Sequence, residues 1–339
     1  MPDNLTRRLE AAIDADPARP HLAGAIRISR GGELLYERAY GQASVQLGVP
    51  NTLATRFHIA SATKMFISAA IMRLVDDGHL ALGQHPGDLA PELASLDRRT
   101  TLHHLLSHTA GVADIYDAPD LRVEMAKLSA SSGRLLDYLA ASPSAFPPGE
   151  RWRYSSSGYL MLAYVAERAA GAPFADLLRS LVLDPLGLND TGPDNPFLVN
   201  PGRASGHVGR DGVWRNAPND RLAEIEGPRE LYSTVADLDR WGAAILAGTA
   251  LSAAAAALTF TPHAAVDQDS GFGTGLSYGY GWFLGPDYRF IGGMTEGFRA
   301  TMWQFPAEEL NVVMLWNNEP IDSGRLLRAL RPLLSEAAG

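Results

Sequence analysis

The sequence predicts an α/β (α+β) protein whose antiparallel sheet is drawn from both ends of the chain around an inserted, mainly helical lobe. Three observations carry that expectation: a strand-turn-strand pattern near the N terminus, three strand-like runs near the C terminus, and a long middle in which helical periodicity dominates. Residues 1–13 read as an amphipathic helix without a continuous apolar stretch. Residues 23–29 and 33–39 flank Arg30-Gly31-Gly32 and read as a β-hairpin. From Ser61 to about Asp77 the chain runs through Met65, Phe66, Ile67, Ala69, Ala70, Ile71, Met72, Leu74 and Val75 and then meets Gly78. That is the pattern of a helix buried on most sides and closed by a C-cap glycine. The segment from about Met65 to Asp220 is read as helices and loops, with one apolar helix beginning near Leu160. The alanines at 253–257 read as a further helix, too short to cross a bilayer. Residues 288–292, 298–305 and 310–316 are β-branched and aromatic runs broken by glycine and by Pro306-Ala307-Glu308-Glu309, so they read as a meander, and residues 325–337 as a closing helix. The expected division is a sheet domain of residues 1–64 and 221–339 and a helical domain of residues 65–220, with the active site between them.

Composition narrows the classes of function. A chain of 339 residues with 46% hydrophobic content is long enough for a sizeable two-lobed interior. The formal net charge of −9, without a basic cluster, argues against a nucleic-acid or anionic-membrane partner. The absence of cysteine removes disulfides, thiolate metal sites and a thiol nucleophile. The nine histidines show no metal-binding spacing, so neither metal nor cofactor is expected. No secretory signal is visible, and the expected location is the cytoplasm.

Lysine is nearly absent: Lys64 and Lys127 are the two lysines among 29 basic residues. Lys64 stands three residues after a serine in His58-Ile59-Ala60-Ser61-Ala62-Thr63-Lys64. Arginine stays protonated inside proteins, whereas a desolvated lysine can be driven neutral and act as a base. Residues three apart share a helical face, so Lys64 is expected to point at the Ser61 hydroxyl, where burial and the positive end of the helix disfavour the ammonium form. The plainer alternative makes Ser61 an N-cap and Lys64 a snorkelling first-turn charge. Lys127, in Met125-Ala126-Lys127-Leu128, reads as an exposed helical charge.

Further motifs weigh against the plainer alternative. Phe146-Pro147-Pro148-Gly149-Glu150-Arg151-Trp152-Arg153 is a proline-glycine loop that delivers Tyr154-Ser155-Ser156. Upstream stands Leu105-Leu106-Ser107-His108-Thr109-Ala110-Gly111, and downstream come Leu231-Tyr232-Ser233-Thr234, Tyr278-Gly279-Tyr280-Gly281-Trp282 and Ile291-Gly292-Gly293-Met294-Thr295-Glu296-Gly297-Phe298. Taken in order, these resemble the serine β-lactamase and penicillin-binding protein superfamily over nearly the whole chain. The resemblance is to the branch holding class C β-lactamases, D-aminopeptidases, DD-carboxypeptidases and β-lactamase-like esterases.

The resemblance implies the β-lactamase/transpeptidase-like fold, Ser61 as nucleophile, Lys64 and Tyr154 as the general-base pair, and an oxyanion site formed by the backbone N–H groups of Ser61 and Met294, with Gly293 allowing close approach of the strand. Which of Lys64 and Tyr154 is the base stays open. It also implies that His103, His104 and His108 are structural. Two positions depart from the family's pattern. Ile291 stands where relatives carry Lys or His, and Ser156 where many carry Asn. Arg299, from the same strand region, is a candidate replacement charge or a solvated strand arginine. Glu296 is either a negative charge at the cleft mouth or a solvated turn residue, and Ile291 is expected to present an apolar wall to the substrate.

The expected function is a serine hydrolase that cleaves esters or amides of small substrates through an acyl-enzyme, esterase-like or D-aminopeptidase-like. Its partner is a small ester, amide or short peptide. The alternatives are a DD-carboxypeptidase or β-lactamase acting on carboxylate-bearing substrates, and a catalytically silent binding protein of the same fold.

Overall fold

Where the two ends of the chain meet, they do so as neighbouring strands of one sheet. A computed structural model describes residues 4–117, 132–195, 198–210, 213–217, 230–319 and 321–336; Lys127 and the expected domain boundary at 220/221 lie outside them. Helix α1 (Asn4–Asp14) leads into strands β1 (Gly24–Arg30) and β2 (Glu33–Tyr40), the expected hairpin. After the central helices come β3 (Ala264–Ala265), β4 (Ser277–Tyr278), β5 (Phe283–Leu284), β6 (Arg289–Thr295), β7 (Phe298–Phe305) and β8 (Leu310–Trp316). The strand order is β3-β4-β5-β6-β7-β8-β1-β2, antiparallel throughout.

Strand β8 explains why its sequence, Leu-Asn-Val-Val-Met-Leu-Trp, does not alternate: all seven residues are buried because both faces of the sheet are covered. Leu310, Val312, Met314 and Trp316 join Ile26 and Ile28 against Leu9 and Ile13 of α1 and Leu326, Leu330 and Leu334 of the C-terminal helix Ser323–Glu336. Val313 and Leu315 face the other way, into a larger core that continues through Met302 and Ile291 to the helices of the inserted lobe. Two core layers on one central strand are what a sheet between terminal helices and a helical lobe requires.

The inserted lobe is organised by α2 (Thr63–Asp76), α3 (Leu102–Leu106) and α4 (Ser156–Ala170). Helix α2 buries 11 of its 14 residues, so it has no solvated face, and Gly78 follows it with φ +74°. The expected boundary at residue 64 falls inside α2, which packs on α4 and also on the helix Ala253–Thr259.

Three expectations are corrected in their bounds. Ser61 lies in a 3₁₀ turn, Ala60–Ala62, and α2 proper starts at Thr63. Helix α4 begins at Ser156, not near Leu160, because the Ser155 hydroxyl accepts the Gly158 N–H at 3.2 Å and caps the helix four residues earlier. Strand β6 runs past the paired glycines, since Gly292 and Gly293 both stay in register with β7, opposite Thr301 and Ala300. Among the described residues no helix is long and apolar enough to cross a membrane.

Helix α3 is tied to the loop carrying Tyr280 by a histidine cluster. His103 Nδ1 lies 2.7 Å from the Tyr280 hydroxyl, and its ring meets His263 edge-on, while His263 stacks on Tyr280 with centroids 4.2 Å apart. Burial, reinforced by His263 and His104, pulls His103 down to about 4. An unfolded histidine titrates near 6.5, so between about pH 6.5 and 4 the unfolded chain binds the proton and the folded chain does not. Stability from this site is therefore full above the upper value and lost as pH falls toward the lower one. The melting temperature is expected to drop between pH 7 and 4.5. His103→Gln, which keeps a partner for Tyr280, is expected to recover part of that drop in a thermal scan; an identical drop in both proteins would contradict this.

Candidate active site

The serine turn is built by backbone strain and backbone contact. Ala60, immediately before Ser61, has φ +46°, a left-handed conformation that non-glycine residues adopt at a cost of about 1–3 kcal/mol and only when the surroundings hold it. Here they do. Ile59 N–H donates to Leu231 O at 2.9 Å, and Leu231 N–H donates to Thr63 Oγ1 at 3.2 Å. From the other side β6 presses its backbone onto the turn: a Cβ on Gly293 would stand 1.9 Å from Ile59 O and 2.9 Å from Ala62 N. Only glycine permits that approach. Gly281, at φ +79°, does the same against Lys64, where an added Cβ would lie 2.9 Å from its carbonyl oxygen. Of residues 57–70, Ser61 alone is not fully buried.

Lys64 is 4% exposed. Its Nζ donates to Ser61 Oγ at 3.1 Å and to Ser156 Oγ at 3.4 Å, and it lies 5.0 Å from the centre of the Tyr154 ring and 5.7 Å from that of Tyr159. Ser61, Lys64, Tyr154 and Ser156 are therefore brought together from two helices and one loop. The α4 end of this group is fixed by the 111–117 loop: Asp114 Oδ2 accepts the Ser156 N–H, Asp114 Oδ1 accepts the Tyr116 N–H at 2.9 Å, and Ser157 Oγ accepts the Ile115 N–H at 2.8 Å. Tyr154 is half-buried among rings, with His108 at 4.5 Å and Phe272 at 5.1 Å between centroids, and Trp152, Tyr278 and Phe283 continue the aromatic cluster behind them.

The remaining sequence candidates separate. Met294 follows Gly293 directly and is 61% exposed at the end of β6. Ile291 has no accessible surface and packs in the main core opposite Met302, so it forms interior and not the expected wall against substrate. The alternation of β7 puts Arg299 on the face of Thr301 and Trp303, opposite the Ala300 and Met302 face that shares its core with the serine turn, and so away from Ser61. Glu296 is exposed in the turn after β6.

Glu230 was not legible in the sequence. It lines a cavity with Thr63, Lys64, Ile67, Ser156, Tyr159 and Leu160, and its Oε2 lies 3.3 Å from His58 Nε2. Its signal could only have been that it immediately precedes Leu231-Tyr232-Ser233-Thr234, the segment that pairs with the chain leading into Ser61. His108 is the second residue whose placement sequence reading missed. It is buried against Tyr154, and its pKa is held well below the ordinary value, first by burial and then by the charge of Lys64.

With this geometry in place, the likeness to known proteins can be read. Residues 8–335 match the family model described as Beta-lactamase, and the chain belongs to that family. It is 36% identical to Esterase EstB of Burkholderia gladioli over 203 residues, 56% of this chain and 52% of the esterase. It is 26% identical to a D-aminopeptidase of Gluconobacter oxydans over 328 residues, 94% of this chain and 60% of that enzyme. The chain thus spans about half to two thirds of the length of these curated relatives. Among solved structures, a penicillin binding protein from Bacillus halodurans superposes with a TM-score of 0.83 at 25% identity, covering 98% of this chain and all of the other.

Gly293→Ala tests the contact that seats the serine turn. The methyl has no room against the Ile59 carbonyl, so a loss of about 1–3 kcal/mol is expected, read as a lower urea midpoint. Gly292, whose added Cβ would meet nothing closer than 3.8 Å, is expected to tolerate alanine far better. Equal midpoints for the two variants would contradict the assignment.

Proposed function

We propose that this member of the beta-lactamase family is a hydrolase of small, uncharged esters that works through an acyl-enzyme at Ser61. The observation that carries the reading is the 3.1 Å contact between a buried lysine amine and the hydroxyl of the one incompletely buried residue in the run 57–70. As Oγ attacks the ester carbonyl, its proton passes to Lys64 Nζ in the neutral form and the carbonyl π pair moves onto oxygen. The N–H groups of Ser61 and Met294 would hold that oxyanion. Collapse breaks the bond to the leaving alkoxide, which takes the proton. Water then adds to the acyl-enzyme by the same route, releasing the acid and restoring Ser61. Among the described residues, Lys64 is the group that touches Ser61 Oγ. Tyr154 presents its ring to the lysine, so we assign Lys64 the first proton transfer and Tyr154 the tuning and relay of that proton.

Two features support neutral donors over carboxylate-bearing ones. Ile291 fills, with core, the place where relatives have a cation, and Arg299 lies on the other face of the sheet. Aromatic rings of Tyr154 and exposed Phe272 offer an apolar surface beside Lys64. Glu230 favours a second class: its carboxylate stands at a small cavity beside Lys64 and Ser156, and a negative charge so near the site favours amine-bearing substrates such as D-aminoacyl amides over anionic ones. The similarity to Esterase EstB and to a D-aminopeptidase supports the same two classes.

Ser61→Ala is expected to abolish turnover of p-nitrophenyl acetate and butyrate together with fluorophosphonate labelling, and an undiminished rate would overturn the reading. Lys64→Arg is expected to keep the fold and lose about hundredfold to ten-thousandfold in rate, because arginine cannot accept the proton. A substrate panel decides selectivity. Short neutral esters are expected to turn over best and D-aminoacyl amides next, with little hydrolysis of nitrocefin or D-Ala-D-Ala peptides. If nitrocefin is the best substrate of the panel, the proposed preference is wrong.

A further inference from the structure

His108 stands at a position whose backbone would suit glycine. It follows α3 and its C-cap residue Ser107, with φ +59°, the left-handed conformation in which glycine or asparagine is usual. It is nevertheless a histidine, 2% exposed, with its ring among Tyr154 at 4.5 Å, Tyr278 at 4.6 Å, Tyr159 at 5.1 Å and Trp152 at 6.0 Å. Two hydrogen bonds connect it to the chain on either side of Tyr154. Arg153 N–H donates to the His108 carbonyl at 2.9 Å, and Ser155 N–H donates to His108 Nδ1 at 3.2 Å. The residue before Tyr154 and the residue after it are thus both held by one buried residue, whose ring also packs against the phenol ring, tilted by 43°.

We propose that His108 is a positioning residue for Tyr154: its carbonyl and its Nδ1 clamp the backbone of residues 153 and 155, and its ring seats the tyrosine against Lys64. This rests on the hydrolase reading above. The second bond demands an unprotonated Nδ1, so the ring proton sits on Nε2, and a neutral ring adds no charge beside Lys64. A protonated ring would lose the Ser155 bond and repel the ammonium that Lys64 becomes on taking the Ser61 proton, so the site is built to keep His108 neutral. Nε2 itself has no hydrogen-bond partner among the described residues, consistent with a ring retained for Nδ1 and for its packing among the neighbouring rings.

The test compares His108→Asn with His108→Gln, with rates normalised to the fraction of sites labelled by fluorophosphonate. Asparagine tolerates the left-handed backbone and places Oδ1 where Nδ1 stood, whereas glutamine fills more of the ring's volume but carries its oxygen one atom too far. His108→Asn is expected to keep kcat for p-nitrophenyl butyrate within about threefold, and His108→Gln to lose about 10- to 100-fold in kcat with little change in KM. Neither variant should lose a limb of the pH-rate profile. A pure packing role predicts the reverse order, and Gln equal to or better than Asn would overturn the proposal, as would loss of a pH limb in His108→Asn. A measurement on the unmutated protein stands beside these: nitrogen NMR is expected to show the neutral Nε2–H tautomer, and an Nδ1–H tautomer would overturn the clamp even if neither variant folds. Full activity in Ser61→Ala defeats the hydrolase reading, whereas silent Ser61→Ala with wild-type rates in both His108 variants defeats the clamp alone.

Discussion

The structure turns on the approach of one strand's backbone to one turn. Strand β6 can reach Ile59 O and Ala62 N because Gly293 has no side chain, and that contact holds Ala60 in its left-handed conformation with Ser61 at the edge of an otherwise buried run. Ser61 is displayed by a strained turn pinned between the sheet and the Leu231 segment, a rigid support of the kind that catalytic groups need. Gly281 repeats the device one turn further on, bringing the Tyr280 loop against the backbone of Lys64. Sheet and helical lobe are joined at the place where Ser61, the proposed nucleophile, stands.

Lys64 emerges on the side of α2 that faces α4, so its amine lies between two hydroxyls and two aromatic rings and not in water. Asp114 and Ser157 then fix the first turn of α4 against the 111–117 loop, which determines where Ser156 sits relative to that amine. The charge pattern around this group departs from what the sequence motif led one to expect. Neither of the two residues considered for it supplies the motif's missing cation, since Ile291 has joined the core and Arg299 lies across the sheet. Besides Asp114, whose carboxylate holds the Ser156 N–H, Glu230 brings a carboxylate near this group, beside His58.

Two histidines serve different ends here. His103 bridges α3 to the Tyr280 loop, so its cost in acid is borne by the packing of the two lobes. His108, five residues later, faces the aromatic group around Tyr154 and contacts the chain on both sides of it. One helix C-terminus therefore contributes both to lobe docking and to the site.

The sequence by itself determined the elements with strong periodicity and the chemistry written in short spacing. The hairpin, the meander and the buried helix α2 were legible because apolar residues recur at strand or helix intervals, and Ser61 and Lys64 were legible because three residues make one helical face. The start of α4 was missed because its cap is a serine among serines, which no periodicity distinguishes, and β6 was drawn too short because paired glycines look like a break when they are a contact. Only the tertiary structure decided which face of the sheet Arg299 occupies, that Ile291 is interior, that Glu230 reaches the cavity beside Lys64, and that His108 clamps the residues around Tyr154. Those are contacts between residues far apart in the chain. Their partners are chosen by how helices, loops and sheet pack, a choice that local pattern does not record.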